Sequence, residues 1–102
     1  MLIHVVYFWL TDNAPAGEAQ KLAESCRSLL GKIPGVRHLW AGSPAETPRR
    51  EVIDSSFAVG LIVVLDDVGK SHDLYQQHPL HLEFIARHKP YWKRVQVYDT
   101  AQ

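Results

Sequence analysis

The sequence lacks several features that would restrict what the protein does. It contains a single cysteine, Cys26, so an internal disulfide cannot form and no oxidising compartment is required. Its 11 Lys and Arg residues are balanced by 11 Asp and Glu residues. No basic run is longer than the pair Arg49-Arg50, which we interpret as part of a solvated loop. This charge pattern argues against a nucleic-acid or anionic-membrane partner.

Long apolar runs are also absent, since none approaches the roughly 20 residues that span a bilayer. The opening segment MLIHVVYFWL is apolar, but it has no basic region before it and carries His4 in its middle, so we do not expect a secretory signal. The sequence has no linker, internal repeat or low-complexity segment. We therefore expect a single domain over residues 1–102, located in the cytoplasm.

Apolar patterning divides the chain into strands and helices. The unbroken run from Ile3 to Leu10 predicts a strand that is buried on both faces. Asp12 or Asn13 is the expected cap of a helix with Pro15 near its first turn and Gly31 at its end. An apolar stripe at helical spacing follows, and it consists of Ala19, Leu22, Ala23, Cys26, Leu29 and Leu30. Because Cys26 belongs to this stripe, we expect it to pack in the core.

The rest of the chain continues the alternation. After the turn Ile33-Pro34-Gly35, the pattern predicts a strand, a surface connection, a second apolar strand, two helical segments and a last strand. Their expected bounds are Val36 to Gly42, Ser43 to Asp54, Ser56 to Leu65, Lys70 to Gln76, Pro79 to Lys89 and Arg94 to Asp99. The order β-α-β-β-α-β is that of the ferredoxin-like α+β fold, in which helices cover one face of an antiparallel sheet.

One face of such a sheet is left bare. A solvated face calls for polar side chains, but the predicted first and third strands are apolar on both faces. A second copy of the chain, packed sheet against sheet, is the simplest cover, because two-fold homodimers are the commonest soluble oligomers. We therefore expect a homodimer that forms through the sheet face.

The segment Tyr75-Gln76-Gln77-His78-Pro79-Leu80-His81 places two imidazoles and a phenol around the start of a helix. Proline favours the first helical position, so His78 ends a loop and His81 enters the first helical turn. His81 shares the inward face of that helix with Phe84. The rings are candidates for acid–base chemistry at a pocket for a hydrophobic molecule.

Each of these residues also has a structural interpretation. His78 can cap the helix, His81 can bond to a strand carbonyl, and His4 can be a hydrogen-bonded core histidine. The same two alternatives apply to a set of aromatic residues, which either line a pocket for a planar or acyl ligand or belong to the core or the dimer interface: Trp9, Trp40, Trp92, Tyr7, Tyr91 and Tyr98. His78 and His81, with Glu83 or His88, do not have the spacing of a zinc site, so we expect no metal.

Taken together, the strand His4-Val5-Val6-Tyr7-Phe8, the turn Ile33-Pro34-Gly35-Val36, the strand near Phe57 and the motif Tyr75-x-x-His78-Pro79-x-His81 resemble the stress-responsive A/B barrel domain, called Dabb. The resemblance covers essentially the whole chain. It implies a ferredoxin-like subunit that pairs into a dimeric α+β barrel.

The resemblance implies less about activity. Some plant members are similar to polyketide cyclases that use no metal or organic cofactor and drive an aldol condensation with a Tyr and a His. Tyr75 and His81 match those positions, and His4 matches a cavity histidine. A further histidine of those cyclases is replaced here by apolar Phe57 and Ala58.

Three functions follow from these observations. The first is a stress-associated homodimer with a pocket for a hydrophobic small molecule, with His78, Phe84 and Trp9 as candidate ligand contacts. The second is a cyclase-like enzyme that needs no cofactor, with Tyr75, His81 and His4 as the candidate catalytic residues. The third is a cofactor-free monooxygenase, which rests on fold analogy alone.

Overall fold

The computed structural model describes residues 1–102 and has the expected β-α-β-β-α-β order, with the second helix position occupied by two consecutive helices. Short 3₁₀ turns at Leu30–Lys32 and Lys89–Tyr91 follow the first and last helices. The elements are β1 (Leu2–Leu10), α1 (Glu18–Ser28), β2 (Val36–Gly42), β3 (Val59–Leu65), α2 (Lys70–Gln77), α3 (Pro79–His88) and β4 (Trp92–Ala101).

The four strands form one antiparallel sheet in the order β2-β3-β1-β4. β1 is central and is paired on both sides: His4 lies opposite Val63 of β3 and opposite Asp99 of β4. Residues directly opposite one another point to the same face of a sheet. The ferredoxin-like fold predicted from the sequence is therefore confirmed.

The core lies between this sheet and the helices. Even-numbered residues of β1 and odd-numbered residues of β3 face the helices, as the two-residue period of a strand requires. They pack on the apolar stripe of α1, where Leu22 and Cys26 are fully buried. The 14 residues of this core are Leu2, Val6, Phe8, Leu22, Ala23, Cys26, Leu30, Ile33, Val59, Leu61, Val63, Leu65, Tyr75 and Phe84.

The predicted start of α1 is wrong. Neither Asp12 nor Asn13 caps the helix, because the chain first makes a turn in which the Ala14 N–H donates to the Thr11 carbonyl at 3.1 Å. Gly17 then occupies the N-cap in the left-handed conformation, with a φ of 83°, which glycine adopts without steric cost. The helix ends at Ser28, so the last two residues of the apolar stripe lie beyond it.

Other boundaries differ by a few residues. The irregular connection after β2 extends through Ala58, and β3 begins at Val59 rather than at Ser56. β4 is longer at both ends than the predicted Arg94 to Asp99, because its whole length pairs with β1. In contrast, β2 has the predicted bounds, and α3 begins at Pro79 as expected.

The turn before β2 requires glycine at one position. Gly35 has a φ of 92°, and a Cβ placed there would lie 3.2 Å from the Cβ of Ser71 in α2. Such a conformation and such a distance both disfavour any residue with a side chain. Gly35 therefore lets the start of α2 pack closely against the turn.

The opposite face of the sheet is not covered by any helix. Ile3, Val5 and Tyr7 point to it and are only half-buried, so the expected burial of this strand on both faces is not met within one chain. The neighbouring strands add three exposed apolar side chains to the same face: Trp40, Ile62 and Tyr98. We call this surface the outer face.

Glu18, at the start of α1, and His88, at the end of α3, form a buried hydrogen-bonded pair. The Nδ1 of His88 lies 2.8 Å from an Oε of Glu18, and these residues are only 2% and 5% exposed. The other ring nitrogen of His88, Nε2, is buried without a partner. Because both partners are out of water, each depends on the other for its hydrogen bond.

Replacing Glu18 with Ala is expected to destabilise the fold strongly, because it leaves both ring nitrogens of His88 buried and unbonded. We expect the free energy of unfolding to fall by about 2 to 4 kcal/mol. Urea denaturation at a fixed protein concentration measures it, with Glu24→Ala, on the exposed side of α1, as the matched control. Equal unfolding midpoints for the two variants would contradict this assignment.

Candidate functional site

The break between α2 and α3 positions the candidate site. His78 is extended, with φ −63° and ψ 141°, as expected for a residue that precedes proline. Its Nδ1 accepts a hydrogen bond from the Leu80 N–H at 3.1 Å. His78 is therefore the N-cap of α3, and it is not among the residues that line the cavity described next.

A cavity of about 160 Å³ lies between the sheet and the break between these helices. Ten of its 13 lining residues are hydrophobic. The edge strand β4 contributes Val95 and Val97, which are 39% and 40% exposed, so this side of the cavity reaches the surface. The polar lining residues are His4, Gln76 and His81.

The structure brings together the three candidate catalytic residues in this cavity. The ring centroids of Tyr75 and His81 are 4.8 Å apart, and those of His4 and Tyr75 are 5.8 Å apart. Phe84, a candidate ligand contact, also lines the cavity. The spacing of residues along α2, α3 and β1 therefore predicts this cluster correctly as a matter of position.

A carboxylate orients His4. Its Nδ1 lies 2.6 Å from an Oδ of Asp99, the residue directly opposite on β4. Because a carboxylate only accepts hydrogen bonds, Nδ1 donates, and a neutral His4 then has Nε2 free to accept one. His4 thus combines the two interpretations made from the sequence, since it is a hydrogen-bonded buried histidine and also part of the cavity wall.

Two buried nitrogen atoms of cavity-lining residues have no hydrogen-bond partner: Nδ1 of His81 and Nε1 of Trp92. A buried polar group left without a partner costs about 1 to 3 kcal/mol. An indole N–H can only donate, whereas an imidazole nitrogen donates or accepts. The pair is therefore suited to a ligand that carries a carbonyl or hydroxyl oxygen.

Burial also sets the protonation of the site. It lowers the pKa of His81, an effect to which His4 and His72 add and which the main-chain carbonyl of Gln76 opposes. It raises the pKa of Tyr75 well above its usual value. Near neutral pH, His81 is therefore a neutral base and Tyr75 a neutral hydrogen-bond donor.

Cys26 takes no part in this chemistry. It is fully buried in α1, and burial raises the pKa of its thiol to about 12. A thiol that is protonated and enclosed is a poor nucleophile. The predicted role of Cys26 in core packing agrees with this environment.

Trp9, a candidate ligand contact, does not line this cavity. Odd-numbered residues of β1 point away from the helices, so Trp9 lies on the outer face. There its indole N–H donates to the Ser56 hydroxyl at 3.0 Å, and the guanidinium of Arg94 lies 4.4 Å from the ring centroid. Trp9 thus holds the β2–β3 connection against one end of that face.

Sequence reasoning missed two polar residues near the cavity, Asp99 and His72. His72 precedes Tyr75 by three residues in α2, so helical spacing already placed the two on one side. Asp99 alternates in β4 with Val95 and Val97, which makes it the one acidic residue in the inward register of that strand. Both signals become meaningful only when β4 is known to lie next to β1.

These features define the chain as a ferredoxin-like α+β subunit with a cavity between its helices and its sheet. A family model for the stress responsive A/B barrel domain, Dabb, matches residues 2–101, and the chain belongs to that family. A search of curated proteins found no significant match.

Solved structures with the same fold are distant in sequence. A dimeric ferredoxin-like protein of unknown function from Thermobifida fusca is 17% identical, with a TM-score of 0.79 over 99% of this chain and 90% of that one. A Dabb family protein from Mesorhizobium loti is 20% identical, with a TM-score of 0.76 over 99% and 95%.

The hydroxynitrile lyase from Passiflora edulis is 15% identical, with a TM-score of 0.79 over 97% of this chain and 90% of that one. Likeness at this level of identity establishes the fold and does not transfer an activity. None of the helices of this chain has the length and apolar character needed to cross a membrane.

The lowered pKa of His81 predicts a dependence of stability on pH. Unfolded His81 takes up a proton at a higher pH than folded His81, so the fold loses stability as pH falls through the ordinary histidine range. Between neutral pH and about pH 5, the native chain should lose more stability than His81→Asn. Urea denaturation at both pH values measures the difference, with His38→Asn as the control for loss of an exposed histidine.

An NMR titration provides a second check of the same assignment. The midpoint for His81 should lie below the ordinary histidine value of about 6.5. A midpoint at or above that value, or identical pH dependence in the native chain and His81→Asn, would show that burial does not govern this ring.

Proposed function

We propose that this chain is a single Dabb domain over residues 1–102 that forms a homodimer and binds a hydrophobic small molecule in the cavity lined by His4, Tyr75 and His81. The observation that carries the proposal is the combination of a mainly apolar wall with two buried nitrogen atoms that lack partners. Pockets for small molecules have this character, with a few placed polar groups in an apolar surround.

The size of the cavity limits the ligand. An engineered apolar cavity of about 150 Å³ in another protein holds benzene, and the cavity here is about 160 Å³. A ring-sized molecule therefore fits. The free N–H of Trp92 favours a molecule with a carbonyl or hydroxyl oxygen, such as a small aromatic ketone.

The homodimer is supported by the outer face. Trp40, Ile62 and Tyr98 are exposed there, next to the half-buried side chains of β1. Contiguous apolar surface of this kind is uncommon on monomers and marks contact sites. The similar proteins from Thermobifida fusca and Jannaschia are described as dimeric, and a second copy packed on the outer face would complete a barrel of two sheets.

A second candidate function is proton transfer in an aldol-type ring closure. It is favoured by the 4.8 Å between the ring centroids of Tyr75 and His81 and by their opposite pKa shifts. Neutral His81 would accept a proton from carbon next to a carbonyl, while the Tyr75 hydroxyl would donate a hydrogen bond to the carbonyl oxygen. The full histidine set of the plant cyclases is not reproduced, since no histidine occurs in β3.

Light scattering tests the homodimer. We expect a mass of twice 11.6 kDa, and we expect Ile62→Asp to shift the protein to monomer or to unfold it, because a charge on a covered apolar face is not solvated. Leu82→Asp is the matched control, since Leu82 is an exposed apolar residue of α3 on the helical side. A folded native monomer at micromolar concentration would contradict the proposal.

Calorimetric titration with acetophenone, as a ring-sized ketone, tests the cavity. We expect saturable binding that Val97→Trp abolishes, because the larger side chain fills the cavity from the exposed edge strand. Val68→Trp, at an exposed position outside the cavity, is the matched control and should bind normally. Absence of binding to the native chain, or equal binding to both variants, would refute the ligand site.

Tyr75→Phe then separates the two candidate functions. A binding module keeps its affinity for an apolar ring when the hydroxyl is removed, whereas an enzyme loses turnover of a reactive ketone and keeps its dimeric state.

A further inference from the structure

Three potential metal ligands from three different elements converge beside the cavity. His4 lies on β1, His72 on α2 and Asp99 on β4, and their ligand atoms all lie within 4.8 Å of one another. No other group of three or more His, Cys, Asp and Glu side chains comes together in this way. In particular, His78 and His81 do not converge with a third ligand.

The three side chains already make two hydrogen bonds, which a metal ion would replace. His4 and Asp99 are joined by a hydrogen bond of 2.6 Å, and a metal ion can replace the proton that they share. The amide of Gln76 lies 3.4 Å from Nε2 of His72, which is long for a hydrogen bond and therefore weak. Metal binding therefore replaces one short hydrogen bond and one weak hydrogen bond with bonds to the ion.

The surroundings of the cluster are those of a site with one open side. His4 is buried, His72 is half-buried and Asp99 is exposed. The buried imidazole fixes one ligand rigidly, while the other two side chains are free to adjust. Solvent reaches the cluster through the exposed Asp99 on the edge strand.

The donor set matches a particular class of ion. Imidazole nitrogen and carboxylate oxygen are typical ligands of Zn²⁺, and three protein ligands leave a fourth position for water or another molecule. Ligands at about 2.1 Å from a tetrahedral ion lie roughly 3.4 Å from one another. The ligand atoms here lie within 4.8 Å of one another, and we expect rotation of the His72 and Asp99 side chains to bring them closer when the ion binds.

We infer that His4, His72 and Asp99 form a binding site for a divalent transition-metal ion of the Zn²⁺ class at the border of the cavity. Tyr75 and His81 are not among the ligands, and His4 is the one residue that the metal site shares with the cavity wall. Metal binding therefore commits His4 to coordination.

Titration of the metal-free full chain with Zn²⁺ by calorimetry near neutral pH tests the site. We expect one ion per chain and release of protons on binding, because the ligands must be deprotonated. His72→Ala should weaken binding by at least about tenfold, since it removes one of three ligands. This variant leaves the His4–Asp99 hydrogen bond in place.

His38→Ala is the matched control, because it removes an exposed histidine of β2 on the opposite side of the sheet from the cluster, and light scattering verifies that the variant keeps the mass of the native protein. Asp99→Asn is the second ligand variant: it keeps the shape of the side chain on an exposed edge strand and supplies the test if His72→Ala does not fold. Substitution with Co²⁺ gives a visible absorption band whose intensity reports four-coordinate geometry with nitrogen ligands.

The outcomes are distinguishable. Loss of binding in His72→Ala and Asp99→Asn, with normal binding in His38→Ala, supports the site. Absence of saturable Zn²⁺ binding to the folded native chain overturns it. Equal weakening in all three variants also overturns it, because it indicates adventitious binding by surface histidines. None of these readouts depends on the acetophenone titration, so the metal site and the ligand cavity fail or succeed separately.

Discussion

The placement of β1 at the centre of the sheet is the constraint on which the rest of the structure depends. A strand that is paired on both sides has no free edge, and the register of its pairing decides which of its residues point to each face of the sheet. In β1 the even-numbered residues face the helices and the odd-numbered ones face away. The core, the cavity and the outer face are all consequences of this one register.

Each functional feature occupies one side of that register. His4 is an even-numbered residue of β1, so it faces the helices and reaches the cavity and the proposed metal site. Val5 is odd-numbered, so it points to the proposed dimer interface. A slip of one residue in the pairing would exchange the two sets. The alternation of a single strand therefore places the proposed ligand sites and the proposed dimer interface on opposite faces of the sheet.

Most of the fold follows from local patterns in the sequence, and the exceptions have physical causes. Pro79 and the apolar stripes locate the helices correctly, because ring geometry and helical period act within a few residues. The start of α1 is not predictable in the same way, because both Asp12 and Gly17 suit a cap and the turn from Thr11 to Ala14 decides between them.

The candidate site is less predictable than the fold. Tyr75, His81 and Phe84 are found from spacing along two helices. Asp99 is found only through its pairing with His4 across strands that are 95 residues apart in sequence. The face on which Trp9 lies is not predictable from the sequence, because the two faces of an unbroken apolar strand have the same composition.

The buried pair of Glu18 and His88 has a mechanical consequence for the cavity. It fixes the C-terminal end of α3 against α1, whereas His81 stands near the other end, about 10 Å away along the helix axis. A displacement of the N-terminal end of α3 would therefore tilt the helix about its fixed C-terminal end. A ligand that pushes His81 outward by about 1 Å thus requires a tilt of only about 5° over that length. Such a tilt would enlarge the cavity while the Glu18–His88 contact stays in place.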